Sequence, residues 1–134
     1  MIEYKGLTDK NKLIDTMIAH DRLGMPRQVI EEVIFPKMER CIEIWYNKGL
    51  AGYVMIFNTN GEKSLHGYKL IKGHFVGAVK IAKEFVSRYP DLFISTHASR
   101  DNVVRLAKIL GFTETYRGQE IVKLEKNVYA SIAA

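Results

Sequence analysis

The sequence predicts a mixed α+β fold, and three observations on length and patterning support this. The 134 residues suit one domain that buries a core without disulfides, and no apolar run reaches the roughly 20 residues that span a bilayer. Segments rich in β-branched residues alternate with segments whose apolar residues recur every three or four positions. The resulting order, β-α-α-β-β-β-α-β-α-β-β, is that of neither a doubly wound sheet nor a barrel. We therefore expect a single domain over residues 1–134.

The first third of the chain predicts a strand and two helices. A strand over 2–7 precedes a helix over 8–24, in which Thr8 offers the N-cap oxygen and Gly24 ends the helix. A second helix over 25–35 has Pro26 in its first turn and ends before Pro36. The apolar stripe of the first helix is formed by Leu13, Ile14, Met17, Ile18 and Leu23.

The middle of the chain predicts a β-meander followed by a helix. The strands over 41–47 and 50–58 are separated by a turn at Lys48–Gly49, which indicates a hairpin. Asn60–Gly61 favours positive φ and predicts the next turn, before a strand over 65–71. A helix over 73–89 follows.

The last third predicts a strand, a helix and a closing hairpin. The strand covers 92–96, and the hairpin covers 112–125 with its turn at Arg117–Gly118. Between them, a helix has Ser99 as its N-cap and Gly111 as the residue that reverses the chain. The stripe of this helix is formed by Val103, Leu106, Ala107 and Leu110.

Composition limits the partners and the compartment. The formal net charge is +5, but the basic residues are scattered among acids, which argues against a nucleic-acid groove. Cys41 is the single cysteine, so no intrachain disulfide or thiolate metal cluster can form. The absence of disulfides is typical of proteins in reducing compartments. The N-terminus lacks the features of a secretory signal, and a cytoplasmic location without membrane contact is expected.

The element order, with Leu110-Gly111-Phe112 closing the last helix, resembles the GNAT fold of N-acetyltransferases over essentially the whole chain. The resemblance implies a central mixed sheet with a β-meander, splayed middle strands and about four helices. It also implies acetyl-CoA as cofactor, with its pantetheine arm between the splayed strands and its pyrophosphate at the start of the next helix. Helix starts bind anions because their first N–H groups lack intrahelical partners.

The segment that matches the family's pyrophosphate loop departs from its Gln/Arg-x-x-Gly-x-Gly/Ala pattern. Lys72 stands at the Gln or Arg position and Gly77 at the last small position, whereas Phe75 replaces the central glycine. Lys72 and His74 favour a phosphate; the other interpretation is an ordinary helix start with Phe75 in the core. The predicted cofactor-binding residues are Lys72, Gly73, His74, Phe75, Val76 and Gly77.

The family's general acid is a tyrosine four residues before the glycine of the closing motif. That position is Ala107, which cannot donate a proton, so Tyr116, Tyr68 or water would have to replace it. The family's asparagine near the start of this helix falls at about Arg100.

Candidates for the general base lie on the central strands. They are Glu43, His66 and His97, each able to take a proton from an ammonium directly or through water. The two histidines come together if their strands are neighbours at the splay, and otherwise they are exposed or hydrogen-bonded at strand ends. Their spacing matches no metal motif, and no metal is predicted. The predicted catalytic residues are His66, His97 and Tyr116.

The altered loop and the missing tyrosine resemble small bacteriophage proteins of this fold that act in the virion or in head assembly. The main prediction is a catalytically degenerate GNAT-fold protein that contacts virion components, in the host cytoplasm or the virion. The alternative is an acetyl-CoA-dependent N-acetyltransferase acting on an unidentified amine. A third hypothesis is a basic nucleic-acid-binding module. A homodimer through the meander or the closing strands would cover edge strands.

Overall fold

The structure is a computed structural model that describes residues 2–21, 23–71 and 76–126, with the backbone alone at Val76. The strands are β1 (Ile2–Gly6), β2 (Met38–Tyr46), β3 (Gly49–Thr59), β4 (Glu62–Lys69), β5 (Phe93–His97), β6 (Thr113–Arg117) and β7 (Ile121–Glu125). The helices are α1 (Lys10–His20), α2 (Arg27–Val29), α3 (Val76–Ser87) and α4 (Asp101–Ile109). One mixed sheet has the strand order β1-β2-β3-β4-β5-β7-β6. The predicted mixed α+β fold, with its meander and four helices, is confirmed.

The chain divides into two compact units, and β4 contributes to both. The first unit comprises Met1–Gly61 and His66–Gly73. The second comprises Glu62–Leu65 and His74–Ala134. The expectation of one domain over 1–134 stays a prediction.

The start of α1 differs from the predicted one. Asp9 is the N-cap, and its carboxylate accepts a hydrogen bond of 3.1 Å from the Lys12 N–H. Thr8, the predicted cap, instead bonds through its N–H and its hydroxyl to Glu43, 35 residues along the chain. A tertiary partner therefore moves the helix start by one residue relative to the sequence pattern.

The end of α1 also comes earlier than predicted. Asp21 leaves helical geometry, and its carboxylate accepts hydrogen bonds from the N–H groups of Leu23 at 2.9 Å and Met25 at 2.5 Å. These bonds turn the chain before Gly24, whose φ is +68°. Leu23 is 83% exposed, so its predicted place in the apolar stripe is wrong.

The second predicted helix is irregular. Pro26 occupies its N-cap, as a proline without an N–H suits a helix start. After the single α-helical turn of α2, residues Ile30–Ile34 form a π-helix and Phe35–Lys37 a 3-10 turn. The predicted end before Pro36 is wrong, because Pro36 lies in the first turn of the 3-10 segment, where its missing N–H is not needed.

Both turns of the meander rest on left-handed backbone. In the β2–β3 hairpin, Asn47 and Lys48 have φ values of 49° and 68°, so the turn begins one residue before the predicted Lys48–Gly49. Asn60 and Gly61, at 53° and 87°, form the predicted second turn.

β3 and β4 approach each other closely at two glycines. A methyl group on Gly52 would lie well inside 3.0 Å of the Tyr68 carbonyl oxygen, and one on Gly67 would lie 3.3 Å from the Tyr53 carbonyl oxygen. The Leu70 N–H donates to the Ala51 carbonyl at 2.8 Å beside them. Glycine is therefore required at Gly52 by space and not by φ.

The core of the first unit lies between α1, the π-helix and the meander. Its apolar side chains are buried and pack against one another across these elements. Its buried members are Leu13, Ile14, Met17, Ile30, Cys41, Tyr53, Met55 and Phe57.

In the second unit, a lysine closes α3. The Lys126 ammonium donates hydrogen bonds to the carbonyl oxygen of Val86, in the last turn of the helix, and at 2.8 Å to that of Tyr89, two residues past its end. A cation there complements the negative end of the helix dipole. Burial lowers the pKa of Lys126.

The buried face of α4 is rotated from the predicted stripe. Ala107 and Leu110 are buried as predicted, but Val104 is buried in place of Val103, and Leu106 is 42% exposed. Both Val103 and Val104 are apolar, so two neighbouring faces of the helix carry apolar residues. The spacing alone favours the face with Val103 and Leu106, which is not the buried one. Gly111, with φ +97°, reverses the chain as predicted.

Candidate functional site

The resemblance predicts the coenzyme phosphates next to α3. Within the described residues α3 covers Val76–Ser87, directly after the four residues that the structure leaves out, and Gly77 lies in this helix. A helix of this length has a positive N-terminal end with free N–H groups. Of the predicted cofactor-binding segment, the structure therefore describes only Gly77 and the backbone of Val76, both in α3. Four predicted cofactor residues lie outside the described residues: Lys72, Gly73, His74 and Phe75.

β4 and β5 pair in parallel at their beginnings. The register joins Ser64, the third residue of β4, to Phe93, the first residue of β5. β5 pairs with β7 at all five of its positions. Within the described ranges, the sheet hydrogen bonds of β5 thus come mainly from β7.

His66 lies on β4, in the first unit. Its ring and the Phe57 ring form a T-shaped contact, with a centroid distance of 5.0 Å and an interplanar angle of 85°. Although part of the side chain is exposed, desolvation by the atoms around the ring lowers the pKa of His66. The imidazole is therefore neutral at pH 7 and chemically suited to accept a proton.

His97 is the last residue of β5, in the second unit, and its side chain contacts Ser99. Its Nδ1 lies 2.7 Å from the Ser99 Oγ, and the Ser99 N–H donates to the same Nδ1 at 3.1 Å. The residue at the N-cap of α4 is Arg100, without a side-chain cap bond, so the predicted N-cap role of Ser99 is wrong. Sequence reasoning selected His97 but missed its serine partner, although the His-x-Ser spacing was visible.

The two tyrosines proposed to replace the general acid lie in different units. Tyr116 is on β6, opposite Lys123 in the register with β7, and is 59% exposed. Tyr68 is on β4 with its ring 5.1 Å from that of His20. Burial, with a smaller contribution from the Asp21 charge, raises the pKa of Tyr68, so its phenol keeps its proton at neutral pH.

Ala107, at the position of the family's tyrosine, is 1% exposed on the buried face of α4. Its methyl group has no proton to donate and packs as a core residue. The usual general acid is therefore missing from this position of the helix.

Glu43 is a buried carboxylate on β2, 1% exposed. It accepts hydrogen bonds from the Thr8 N–H at 2.8 Å, the Thr8 hydroxyl at 2.9 Å and the Trp45 Nε1–H at 3.0 Å. Burial raises the pKa of Glu43, but these donors outweigh it and the pKa is lowered overall. The geometry favours a charged anchor for the start of α1 over the proton acceptor expected from the sequence.

Cys41 is a free, buried cysteine on β2. Burial, with the nearby Glu43 charge, raises the pKa of the thiol to about 12, so at pH 8 roughly one molecule in ten thousand carries a thiolate. We expect iodoacetamide to leave Cys41 unmodified in the native protein and to alkylate it readily in urea. Intact mass spectrometry of both samples over the same period provides the control, and native labelling at the unfolded rate would contradict the burial of the thiol.

Metal-binding and membrane-spanning features are absent from residues 2–21, 23–71 and 76–126. No group of three or more His, Cys, Asp or Glu side chains there is arranged to hold a metal ion. None of the helices in those ranges is both long and apolar enough to cross a membrane.

The chain was compared with known families, curated proteins and solved structures. No family model matches it. No curated protein sequence matches it either. Solved acetyltransferases resemble it along nearly its whole length.

A Bacillus subtilis acetyltransferase in complex with CoA has a TM-score of 0.65 and 14% identity, covering 93% of this chain and 96% of its own. A GNAT family acetyltransferase from Elizabethkingia anophelis with acetyl-CoA bound has a TM-score of 0.67 and 13% identity, covering 93% and 97%. The Campylobacter jejuni N-acetyltransferase PseH, in complex with acetyl coenzyme A, has a TM-score of 0.60 and 13% identity, covering 93% and 97%. The chain therefore has the GNAT fold.

Proposed function

We propose that this protein is an acetyl-CoA-dependent N-acetyltransferase. The observation that carries the proposal is the full-length structural likeness to acetyltransferases, several of them solved with CoA or acetyl-CoA. The main prediction from the sequence, a degenerate phage assembly protein, gains no support from these structures. The acetyltransferase alternative gains that support, and the acceptor amine is left open.

The donor in this proposal is acetyl-CoA, whose thioester supplies an activated acetyl group. Its phosphates would meet the start of α3, where the helix dipole and free N–H groups favour negative charge. Lys72, which precedes α3 in the sequence, would add positive charge, and His74 would offer a ring N–H as a hydrogen-bond donor. Lys72 is the residue whose loss tests this placement most directly.

Calorimetric titration with acetyl-CoA tests the proposal. We expect a measurable binding heat, and a dissociation constant weakened by about tenfold in Lys72→Ala, since one phosphate contact is worth about 1.4 kcal/mol. Lys80→Ala, an exposed lysine further along α3, is the matched control and keeps the affinity of the wild type. Binding absent at millimolar acetyl-CoA would refute the proposed function.

His66 would serve as the general base, and its pKa gives a prediction on pH. Because desolvation lowers the pKa of His66 below its ordinary 6.5, the neutral form dominates at pH 7 and is lost as the pH falls below 6.5. We expect kcat/KM to decrease as the pH is lowered below 6.5, because the base becomes protonated. This decrease should be absent in His66→Gln. An NMR titration of the His66 ring measures the same pKa without turnover, and a midpoint above 6.5 would contradict the prediction.

A second candidate, favoured by the buried Ala107, is a protein of this fold that acts by binding alone. This candidate includes the predicted head-assembly or virion role, which stays a prediction. Thiol release from acetyl-CoA across a broad panel of amines separates the two candidates. Release that requires an amine supports the enzyme, whereas coenzyme binding without release in any mixture supports the binding protein.

A further inference from the structure

The C-terminal end of α1 brings together groups that attract a positive charge. α1 has 11 residues and ends at His20, and its last carbonyl groups give this end a partial negative charge. Asp21 follows directly and adds the full charge of a carboxylate. The protein as a whole has a formal charge of +5, so this negative potential is local to the helix end. Both residues belong to the first unit.

The hydrogen bond of His20 leaves one nitrogen of its ring as an acceptor. The Nδ1 lies 2.9 Å from the Thr16 carbonyl oxygen, which can only accept, so Nδ1 carries the proton. In the neutral ring, Nε2 therefore holds a lone pair, and the side chain is exposed to solvent. An ammonium group can donate a hydrogen bond to this nitrogen.

The aromatic ring of Tyr68, from β4, lies beside His20. The two ring centroids are 5.1 Å apart, and the ring planes are inclined by 48°. Burial and, to a smaller extent, the Asp21 charge raise the pKa of Tyr68, so the carboxylate acts on the phenol. The Tyr68 side chain is only half-buried and can be reached by a ligand. The face of such a ring attracts organic cations.

The turn after α1 fixes the Asp21 carboxylate in place. Its two oxygens accept hydrogen bonds from the N–H groups of Leu23 at 2.9 Å and Met25 at 2.5 Å. Each carboxylate oxygen has about two acceptor positions, so these bonds leave lone pairs for a ligand. The charge is thus held beside Tyr68 before any ligand binds, which lowers the entropy lost on binding.

The distance from this helix end to His66 suggests the length of the ligand. His66 and Tyr68 are two residues apart on β4, so they lie on the same face of the strand, about 7 Å apart along it. His66 is the base of the proposed reaction, so the reacting nitrogen would lie at its ring. A second nitrogen, joined to the first by about four methylene groups, would reach Tyr68.

We propose that the end of α1 binds the second, positively charged amino group of a short aliphatic diamine, which is the acceptor; this rests on the proposed acetyltransferase function. The reacting nitrogen arrives as an ammonium and gives one proton to the His66 ring. Its C–N bond forms while the C–S bond of the thioester breaks, and the departing thiolate takes its second proton. The products are the monoacetylated diamine and free thiol, and the distal ammonium keeps its charge at the helix end.

The comparison of 1,4-diaminobutane with butylamine tests this proposal, because the two amines differ in the second amino group. Thiol release from acetyl-CoA at pH 8 and constant ionic strength measures both reactions. We expect the diamine to have a kcat/KM at least about tenfold higher, with the difference in KM, since the distal group takes no part in the chemical step. Equal values for the two amines would overturn the cation site.

Asp21→Asn removes the charge and keeps a side-chain oxygen for the turn. It should raise the KM for the diamine about tenfold and leave kcat and the KM for butylamine unchanged, a split that a general loss of structure would not give. Asp15→Asn, five residues earlier on α1 at a side chain that is 67% exposed, is the matched control and keeps the preference. A diamine preference that persists in Asp21→Asn would overturn the role of the carboxylate.

An NMR titration of the wild type with each amine, without acetyl-CoA, separates this inference from the proposed function. Saturable shifts of the His20 ring signals with the diamine, and not with butylamine, would support the cation site. The same shifts without thiol release from any amine would support the site and remove the acetyltransferase. Thiol release at equal kcat/KM with both amines, without shifts at His20, would overturn the site and leave the acetyltransferase intact.

Discussion

Gly52→Ala is expected to lower the melting temperature by about 10 °C or to prevent folding, equivalent to about 3 kcal/mol. The new methyl group would overlap the Tyr68 carbonyl oxygen, and its next neighbours, the Tyr68 carbonyl carbon and Lys69 Cα at 3.5 and 3.6 Å, are also backbone. Backbone atoms in a paired strand cannot rotate away as a flexible side chain does. Relief therefore requires β3 and β4 to shift.

Gly6→Ala is the matched control for this substitution. Gly6 also lies in a strand of the first unit and is not in left-handed backbone. Apart from its chain neighbours, no heavy atom lies within 4 Å of the place that the new methyl group would take. The melting temperature of this variant should stay within about 2 °C of the wild type. Thermal denaturation followed by circular dichroism compares the variants, and similar curves for both would show that β3 and β4 are not packed as closely as described.

Glu43→Ala is expected to cost about 3 kcal/mol in the free energy of unfolding. Removing the carboxylate leaves donors of Thr8 and Trp45 without their acceptor beside a buried strand. Urea denaturation at pH 7 measures the loss. Glu3→Ala, an exposed acid on the neighbouring β1, is the control and should change stability by less than about 0.5 kcal/mol.

The contribution of Glu43 to the free energy of unfolding also depends on pH. Because its folded pKa lies below the ordinary 4.5, the charged form is favoured in the native protein. The stabilisation is fully present above pH 4.5 and is lost as the pH falls through the lowered folded value. Glu43→Gln should therefore differ from wild type more at pH 7 than at pH 3, and a constant difference would contradict the ionised anchor.

The element order is predictable because most segments carry one clear period and sharp turn residues. Asn60–Gly61 and Gly111 are at the positions that need positive φ, and the structure uses them as predicted. The errors have tertiary causes. Thr8 loses its cap role to Glu43, which the sequence places 35 residues away, and the π-helix after Val29 has no signal in the apolar period.

The candidate site is predictable in residue type but not in geometry. His66 and His97 are predicted because a general base on the central strands must be an acid or a histidine, yet only the three-dimensional structure shows a desolvated ring in one and a serine partner in the other. The sequence favours helix capping for Ser99 because serine before a helix usually caps it. In the structure the Ser99 N–H donates to the ring of His97, two residues earlier. The orientation of that ring cannot be predicted from residue propensities.

The two edge strands of the sheet influence how the protein behaves at high concentration. β1 and β6 have five residues each; β1 exposes Glu3 and Lys5, and β6 carries the 2.5 Å ion pair between Glu114 and Arg117. An added strand from another molecule would have to desolvate these charges before its backbone could pair. Short, charged edge strands thus disfavour edge-to-edge pairing between molecules. The protein is expected to resist aggregation at concentrations at which a sheet with longer, apolar edge strands would form fibres.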